Sequence, residues 1–433
     1  MSSVGLPNDW SEQPLSELVA HFQSGVSVNS DENYGTAEYW ILKTSCVNGG
    51  KFNPLESKPI PPSDVHRAEL HPKANSILVS RMNTFALVGE TAYVPEDVPW
   101  AFVPDRLWQT VMEQGKDTHV RWLSFVLQSP SFRQQVSNSA TGTSGSMKNI
   151  SQSLYLGIDV RTPPPKEQRK IARILTTLDN LIEKTEALIA KYQSIKQGMM
   201  HDLFTRGVDA HGRLRPTHEQ APDLYKQSEL GWIPKEWDDQ KSLGENIDFI
   251  TDYRGKTPPT SNEGIPVISA ETVGDGYLKD TTKRVSEQTY RAWTTRGFPE
   301  PGDVIFTTEA PVGAIAALPA DQTYLLTRRV IALRPYEDNL KKRYLHWRMI
   351  LEGQSSTWLK YQHGSTVPRI LKPDLLNHTF PLPNPEEQVE VGTRLDACQS
   401  KIDSERAALA KYKLQKSGLM QDLLTGKVRV NVE

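Results

Sequence analysis

Two short stretches of this 433-residue chain nearly repeat each other: Pro165-Lys166-Glu167-Gln168 and Pro385-Glu386-Glu387-Gln388. The displacement between them is 220 residues, from position 165 to position 385. At this displacement, and without a gap, identical residues continue at Ile182 and Ile402, Ala190-Lys191-Tyr192 and Ala410-Lys411-Tyr412, Lys196 and Lys416, Gly198 and Gly418, and Asp202-Leu203 and Asp422-Leu423. Such a run of identities at one displacement indicates an internal duplication.

Weaker similarity extends the repeat upstream of these stretches. Residues 5–10, Gly-Leu-Pro-Asn-Asp-Trp, resemble residues 232–237, Trp-Ile-Pro-Lys-Glu-Trp. In the same way, Thr141-Gly142-Thr143 resembles His363-Gly364-Ser365. We therefore interpret the chain as about two copies of one unit, each a variable domain followed by a more similar tail.

Both similar tails are predicted to be helices. Pro165 suits the first helical position, where its missing N–H costs nothing, and Glu167 in the first turn complements the positive end of the helix dipole. The next proline of this copy is Pro216, so nothing in between forbids a helix. A helix of roughly forty residues extends about 60 Å.

Apolar residues recur along each tail with an alternating spacing of three and four, which is typical of the seam of a coiled coil. Two positions on the seam are polar in both copies, Thr185 with Glu405 and Lys196 with Lys416. These positions either fix the register of the helix pair or lie at a solvated edge. The residues predicted to pack between the helices are Ile171, Leu175, Leu178, Ile182, Ile189, Tyr192, Met199, Leu203, Val391, Leu395, Cys398, Ile402, Leu409, Tyr412, Leu419 and Leu423.

Chain order predicts how the two helices pack. The first helix carries the chain from the first domain to the second, and the second helix leaves the second domain with a matching apolar stripe to bury. Antiparallel packing is the simplest solution. The predicted fold class is α+β, with two mixed α/β domains separated by a long antiparallel two-helix coiled coil and a pseudo-two-fold internal duplication. The predicted segments are domain 1 at 1–162, helix 1 at 163–208, a linker at 209–233, domain 2 at 234–382 and helix 2 at 383–427.

Short apolar segments between turn signals predict the strands of the two domains. The turn signals include Asn48-Gly49-Gly50 and Gly274-Asp275-Gly276. Helices are predicted near Val120 to Gln128 and near Lys342 to Glu352, which makes each domain a mixture of α and β structure. The predicted strands are 39–42, 76–79, 304–306 and 330–333.

Composition excludes several classes of protein. Only Cys46 and Cys398 are present, so neither a disulfide framework nor a cysteine zinc site can be built. No run of about eighteen apolar residues occurs, and the polar N-terminal stretch does not resemble a secretory signal, so we expect a cytoplasmic protein with no membrane contact. The formal net charge of -2 is a mild argument against nucleic-acid binding. Basic clusters such as Arg328-Arg329 and Lys341-Lys342-Arg343 can nevertheless form a local positive face.

Motifs that carry chemistry are missing from the sequence. There is no Asn-Pro-Pro-Tyr-like methyltransferase tetrapeptide and no glycine-rich cofactor loop after a convincing strand. Arg254-Gly255-Lys256-Thr257 imitates the end of a phosphate-binding loop, but Ile250 occupies the position of its first glycine. The scattered histidines form no two-histidine-plus-carboxylate set at ligand spacing. We therefore assign no catalytic, cofactor-binding or metal-binding residue.

The order of these features resembles the specificity subunit of type I restriction-modification systems. The features are a domain, a Pro-x-Glu-Gln helix start, a long helix, a linker with Gly231-Trp232-Ile233-Pro234, a second domain and a second helix. The resemblance covers essentially the whole chain and is most specific in the repeated tails. It implies a non-catalytic subunit that recognises a two-part sequence in double-stranded DNA, with one part for each target-recognition domain.

The resemblance also implies the partners. Two methyltransferase (modification) subunits would dock on the helix pair and methylate adenine with S-adenosylmethionine, while restriction subunits would use ATP and Mg²⁺ to translocate and cut DNA. This chain itself would bind no cofactor. The helix pair would act as a spacer of fixed length between two reading domains. Since the domains differ in sequence, the two half-sites should differ as well.

Residues that suit DNA contact occur in both domains. The segment Ser139 to Lys148 combines small side chains with a cation, which suits phosphate contacts, although a flexible loop has the same composition. Arg81 follows a predicted strand and Arg328-Arg329 precedes another, so they are candidates for base or phosphate contacts, with salt-bridged surface arginine as the alternative. The candidate DNA-binding residues are Arg81, Thr143, Ser144, Lys148, Arg328, Arg329, Ser365, Thr366 and Arg369.

Two other functions fit the sequence less well. A coiled-coil adaptor with two ligand- or protein-binding domains is favoured slightly by the near-neutral charge and disfavoured by the full-length resemblance. An enzyme with an unrecognised site would methylate or cleave DNA as the isolated chain.

Overall fold

The computed structural model of the chain describes residues 6–30, 37–142, 147–229, 231–253, 257–364, 366 and 368–431. The chain divides into two compact units. Unit 1 comprises Met1–Glu186 and Ala407–Glu433, and unit 2 comprises Ala187–Arg406. Each of the two long helices therefore contributes one part to each unit.

Unit 1 is a mixture of short strands and helices. Its strands are β1 (Ser11–Pro14), β2 (Val19–Ser24), β3 (Trp40–Leu42), β4 (Val47–Asn48), β5 (Lys51–Phe52), β6 (Ser57–Pro59), β7 (Ser76–Ser80), β8 (Met82–Asn83), β9 (Thr91–Val94), β10 (Ala101–Phe102), β11 (Leu107–Met112), β12 (Lys148–Asn149) and β13 (Asp159–Thr162). Its helices are α1 (Val120–Gln128), α2 (Pro130–Ser139), α3 (Gln152–Leu156) and α4 (Pro165–Thr205), with 3-10 helices at Leu15–Glu17, Thr44–Cys46 and Val65–Arg67.

The central sheet of unit 1 is antiparallel, with the strand order β2-β11-β7-β9. β7 is buried along its whole length because apolar groups cover both faces of the sheet. Its alternating side chains divide between two cores, as a strand period of two requires. Ile77 and Val79 join the core that contains α1 and the start of α4, whereas Leu78 joins the core that contains Leu42 and Leu107.

Unit 2 repeats this mixture. Its strands are β14 (Tyr225–Ser228), β15 (Gly231–Pro234), β16 (Ile247–Asp252), β17 (Ile265–Ile268), β18 (Arg284–Val285), β19 (Val304–Thr307), β20 (Ile315–Ala317), β21 (Leu325–Leu326), β22 (Val330–Pro335), β23 (Gln362–His363) and β24 (Arg369–Ile370). Its helices are α5 (Glu287–Trp293), α6 (Lys342–Gln354), α7 (Lys372–Leu376) and α8 (Pro385–Leu423), with 3-10 helices at Pro222–Leu224, Gly244–Asn246, Ala270–Thr272 and Thr357–Tyr361.

The central sheet of unit 2 has the same antiparallel arrangement, in the order β16-β22-β19-β20. β19 occupies the position of β7 and divides its side chains in the same way. Val304 and Phe306 face the core that contains α6 and parts of both long helices, and Ile305 faces the other core. The two units are thus built on one plan, which confirms the internal duplication.

The sequence-based strands and helices are confirmed where they can be compared. The four predicted strands correspond to β3, β7, β19 and β22, and α1 has the predicted bounds, Val120–Gln128. Gly49 and Gly50 both adopt positive φ in the turn between β4 and β5, a conformation that glycine adopts without strain. The segment 209–233 contains β14 and the first three residues of β15, and the two strands pair antiparallel.

The two long helices pack antiparallel within each unit. In unit 1, Ile171 and Leu175 near the start of α4 share a core with Leu423 at the end of α8. In unit 2, Leu203 near the end of α4 shares a core with Val391 and Leu395 near the start of α8. The fold is therefore α+β, with two mixed domains and an antiparallel pair of long helices.

The sixteen seam residues named above are all buried or half-buried. Eleven of them are buried: Ile171, Leu175, Leu178, Ile182, Ile189, Leu203, Val391, Leu395, Cys398, Ile402 and Leu423. Burial widens beyond the seam in unit 2, where Met200 and Phe204 are also buried because the end of α4 packs on the domain as well as on α8.

Three of the four polar seam residues make specific contacts, so these three are not simply a solvated edge. Thr185 is buried and donates its hydroxyl to the Leu181 carbonyl at 2.7 Å. Lys416 lies 2.6 Å from Asp179 in unit 1, while Lys196 donates to Gln399 at 2.9 Å in unit 2. Each lysine thus reaches from its own helix to the other one.

In unit 1, the Glu-Gln pair of the first repeated stretch anchors the start of α4. Glu167 is only 2% exposed and accepts the indole N–H of Trp10 at 3.1 Å. Arg429 closes this group, with hydrogen bonds of 2.8 Å to Glu167 and to Asp9. These hydrogen bonds raise the pKa of Arg429. Gln168 accepts the backbone N–H of the residue before α1 at 2.9 Å and so ties α1 to α4.

The second Glu-Gln pair does the same in unit 2. Glu387 accepts the indole N–H of Trp237 at 3.2 Å and the guanidinium of Arg215 at 2.5 and 3.0 Å. Gln388 accepts the backbone N–H of Lys341, before α6, at 2.8 Å. The repeated motif is therefore a structural anchor that buries a carboxylate and satisfies it with a tryptophan and an arginine in each unit.

Candidate nucleic-acid interface

In unit 1, chain segments that are distant in sequence lie side by side at the end of β7. The Arg81 N–H donates to the Arg106 carbonyl, and the Ile150 N–H donates to the Arg81 carbonyl, both at 3.1 Å. Strands β8 and β12 continue this pairing, and Thr141 pairs with Asn149 on the far side. We call this set the basic strip of unit 1; it comprises residues 81–83, 106, 141 and 148–150.

Unit 2 has the same arrangement at the end of β19. The Thr308 N–H donates to the Arg329 carbonyl, and the Ile370 N–H donates to the Thr308 carbonyl, both at 2.9 Å. Glu309 pairs with Arg369, and strands β23 and β24 complete the set. The basic strip of unit 2 comprises residues 308–309, 329, 362–363 and 369–370.

The two strips correspond position by position, because the same backbone hydrogen bonds join the same neighbours in each. One pair holds arginine in both units, the buried Ile150 and Ile370 are also identical, and the other pairs hold different side chains. The corresponding residues are Arg106 and Arg329, Arg81 and Thr308, Met82 and Glu309, Asn149 and Arg369, and Thr141 and His363.

The described candidate residues lie on these strips or next to them. Arg81 and Lys148 belong to the strip of unit 1, and Lys148 donates to the Gly142 carbonyl at 2.9 Å. Arg329 and Arg369 belong to the strip of unit 2 and are exposed. Thr366 is exposed in the segment that joins the paired strands β23 and β24. The fold thus brings these candidates together within each unit, although they are far apart in sequence.

The electrostatic environments of the two strips differ. Arg329 is held by Glu309, with a distance of 2.9 Å between Nε and Oε2, and 44% of its side chain is exposed. Arg106 is exposed and has no ion pair with any other described residue. The arginine shared by the two strips therefore has no acidic partner among the described residues of unit 1, and it is partly neutralised in unit 2.

A cleft of about 270 Å³ adjoins the strip of unit 2. Its lining includes Arg328, Arg329 and Lys283, and Lys283 lies 3.8 Å from Glu271. The exposed Arg328 thus belongs to a positively charged recess. Within the described residues, no three histidine, cysteine, aspartate or glutamate side chains form a group that could hold a metal ion.

Three candidate residues, Thr143, Ser144 and Ser365, lie outside the described residues, as do residues 254–256 of the loop-like sequence at 254–257. Arg106 and Asn149 were not recognised as candidates from the sequence. The sequence did contain a signal for Arg106, because Arg106 stands immediately before an apolar strand just as Arg329 does. The two arginines are 223 residues apart, however, so the ungapped repeat at a displacement of 220 does not align them. Asn149 had none, because its neighbours on the strip come from distant segments.

No helix in the described part of the chain is long and apolar enough to cross a membrane. The duplicated α/β domains, the paired long helices and a basic strip in each copy define a protein with two recognition domains. The chain belongs to the family described as "Type I restriction modification DNA specificity domain", which matches residues 7–192 and again residues 234–413. Both copies of the repeat are thus members of one domain family.

Similar proteins agree with this assignment. The chain is 28% identical to the MjaVIII specificity subunit of a type I restriction enzyme from Methanocaldococcus jannaschii, and the match covers 65% of each chain, just under two thirds of that relative. It is 23% identical to the putative MjaX specificity subunit from the same organism, over 98% of this chain and 95% of the relative. A solved structure, the S subunit of the type I restriction-modification system from M. genitalium, has the same fold, with a TM-score of 0.65, 16% identity and coverage of 97% of this chain and 98% of that one.

Proposed function

We propose that the chain reads a two-part DNA sequence, one part with the basic strip of unit 1 and the other with that of unit 2. One observation carries this proposal: the same set of paired segments appears in both units, with a shared arginine and, apart from the buried Ile150 and Ile370, otherwise different side chains. Side chains that contact phosphates need not change with the DNA sequence, whereas side chains that read base edges must. Two strips with different side chains should therefore read two different words.

The proposed role is that of a subunit without catalysis of its own. The family and the relatives support a place in a type I restriction-modification complex. Methyltransferase subunits would dock on the long helices, and S-adenosylmethionine, ATP and Mg²⁺ would be used by the partners. Since each unit contains parts of both helices in the same antiparallel arrangement, we propose one modification subunit for each unit. The complex would act in the cytoplasm.

Sequencing of methylated adenines tests the proposal. Cells that carry the modification partner are compared with and without this chain. We expect methylation in a motif of two unlike words separated by unread bases, and loss of that motif without the chain. A motif that persists in its absence, or a single uninterrupted word, would contradict the proposal.

A gel-shift series with the purified complex separates the proposal from an adaptor role. Duplexes with the motif, and with each word scrambled in turn, are titrated at a fixed salt concentration, because phosphate contacts make the affinity depend on salt. We expect weaker binding when either word is scrambled. Equal binding to all three duplexes would favour an adaptor that carries no sequence information.

A further inference from the structure

The position that holds arginine in both strips, Arg106 in unit 1 and Arg329 in unit 2, differs in character from the other corresponding positions. Arg106 and Arg329 each precede the strand next to the strip, and the following residues, Leu107 and Val330, are completely buried in the cores. The backbone at this position is therefore fixed in both units. A long, exposed cation on a fixed backbone suits a phosphate oxygen, which is present at every step of a duplex whatever its sequence.

The pair Arg81 and Thr308 shows the opposite pattern. Both residues are half-buried, and their backbones make the same two hydrogen bonds in the two strips. The side chains nevertheless differ completely in length, charge and hydrogen-bonding capacity. Arginine offers the planar pair of donors that matches guanine O6 and N7, whereas threonine offers a short hydroxyl and a methyl group.

The pair Asn149 and Arg369 differs in the same way. An asparagine amide pairs with the N6 and N7 edge of adenine, and an arginine pairs with guanine. Among the described residues, Asn149 Oδ1 and Arg81 Nε are buried side-chain atoms without a hydrogen-bond partner. Buried polar atoms of this kind are unfavourable without a partner. The strip of unit 1 therefore holds one acceptor atom and one donor atom that no described residue satisfies.

Glu309 of unit 2 corresponds to Met82 of unit 1 and differs from it, but we do not group it with the differing pairs above. Its carboxylate accepts Arg329 at 2.9 Å, so it is occupied within the protein. Its effect on DNA acts through the shared arginine, whose charge it partly neutralises.

From these patterns we propose that different residues of each strip contact the phosphates and select the bases. Arg106 and Arg329 contact phosphates in both half-sites, and the differing pairs, Arg81 with Asn149 in unit 1 and Thr308 with Arg369 in unit 2, select the bases. This inference rests on the proposed function and adds to it the residues that determine specificity. Unit 1 is expected to read guanine and adenine, and unit 2 to read guanine next to a base that threonine tolerates.

The test uses the full chain together with its modification partner, in cells that otherwise lack the motif. Four variants are compared by sequencing of methylated adenines: Arg81→Thr, Thr308→Arg, Arg106→Ala and Arg329→Ala. Arg81→Thr should change one position of one word and leave the other word intact, and Thr308→Arg should do the same to the other word. Arg106→Ala and Arg329→Ala should keep both words and lower the extent of methylation about tenfold. The reduction should be smaller for Arg329→Ala, because Glu309 already neutralises part of its charge.

The matched controls are Lys116→Ala in unit 1 and Arg291→Ala in unit 2. Both are exposed cations with an acidic neighbour, Glu17 and Glu287 respectively, and neither belongs to a strip. They should leave the words and the extent of methylation unchanged. A melting curve of each purified variant excludes unfolding, and Arg81→Lys, which keeps the charge but not the planar pair of donors, replaces Arg81→Thr if that variant does not fold.

Salt dependence gives a second and independent readout. The slope of log affinity against log salt should fall by about 1 in Arg106→Ala, whereas a base-reading change mainly alters discrimination between duplexes. The inference is overturned if Arg81→Thr and Thr308→Arg both leave the words unchanged while the wild-type chain still directs methylation. That outcome differs from failure of the proposed function, for which the wild-type chain itself would direct no methylation.

Discussion

The two units bury the same anchor to different extents. In unit 2, the arginine that closes on Glu387 is Arg215, whose side chain is 9% exposed. In unit 1, its counterpart Arg429 is 43% exposed and shares its charge between Glu167 and Asp9. The same motif should therefore contribute differently to the stability of the two units, because an ion pair is expensive to break only where water cannot replace the missing partner.

A second difference lies under the first domain helix of each unit. Val126 and Ile158 line the core of unit 1, and the corresponding positions in unit 2 hold Arg348 and His378. The cation of Arg348 lies over the rings of Phe204 and Phe380, at 5.7 and 5.5 Å from their centroids. Unit 2 thus buries charge where unit 1 buries aliphatic groups, and its stability should depend more strongly on protonation.

The largest expected effect comes from neutralising the anchor carboxylates. Glu387→Gln leaves the buried Arg215 with only the exposed Glu236 as a charged partner and should lower the free energy of unfolding by about 3 kcal/mol. Glu167→Gln leaves Arg429 free to turn toward Asp9 and water, so a loss of about 1 kcal/mol is expected. Calorimetric unfolding of the full chain measures both.

Two exposed glutamates serve as controls for this comparison, Glu17 in unit 1 and Glu271 in unit 2, which are 53% and 82% exposed. Their replacement by glutamine should change the free energy of unfolding by less than about 0.5 kcal/mol. Equal losses in Glu387→Gln and Glu167→Gln would refute the role assigned to burial.

The next effect is the acid sensitivity of unit 2. Burial, followed by the charge of Lys196, lowers the pKa of His346 to about 4. Because the folded pKa lies below the unfolded value of about 6.5, this histidine contributes stability above pH 6.5, and that stability is lost as the pH falls toward 4. The loss should be on the order of 3 kcal/mol. The position corresponds to Ser124 in unit 1, which does not titrate in this range.

Glu352 extends this sensitivity to lower pH. Burial raises its pKa, but the interactions with His378 and Arg348 outweigh burial and lower it to about 2. Its contribution to stability is therefore present above about pH 4.5 and disappears as the pH falls toward 2.

Melting curves between pH 7.5 and 4.5 should show a steeper decline for the wild-type chain than for His346→Ser. The exposed His211→Ser should behave like wild type; an unchanged slope in His346→Ser would remove His346 from the explanation.

The smallest effect concerns the lysines of the seam. Lys416 pairs with the carboxylate of Asp179, so Lys416→Met should cost about 1 kcal/mol. Lys196 pairs with the neutral amide of Gln399, and burial lowers its pKa, so Lys196→Met should cost less than about 0.5 kcal/mol. Urea unfolding distinguishes the two. A greater loss in Lys196→Met would show that the amide contact outweighs the ion pair.

Local signals made the helices predictable. Pro165 and Pro385 fix the helix starts, the seam spacing identifies the buried stripe, and the apolar run at 120–128 gave α1 its observed bounds. The function followed from the resemblance, which the family match confirms. These features depend on neighbours within a few residues, for which sequence patterns carry most of the information.

Contacts across long sequence distances were not predictable. Arg215 and Arg429 reach carboxylates 172 and 262 residues away, and nothing in their immediate sequence indicates this. The basic strips likewise combine segments that only the folded sheet brings together. The polar core of unit 2 was missed for a related reason. Arginine and histidine usually lie at protein surfaces, and Arg348 and His378 are covered only because of the residues that pack against them.

The discontinuity of unit 1 has a consequence for synthesis on the ribosome. Unit 2 is one uninterrupted stretch and can assemble as soon as it leaves the exit tunnel, whereas Ile171 and Leu175 must wait for Leu423, and Glu167 must wait for Arg429. At about 5–20 residues per second this interval lasts roughly ten to fifty seconds. During that time Ile171 and Leu175 lack one of their apolar partners, so we expect unit 1 to complete its core later than unit 2.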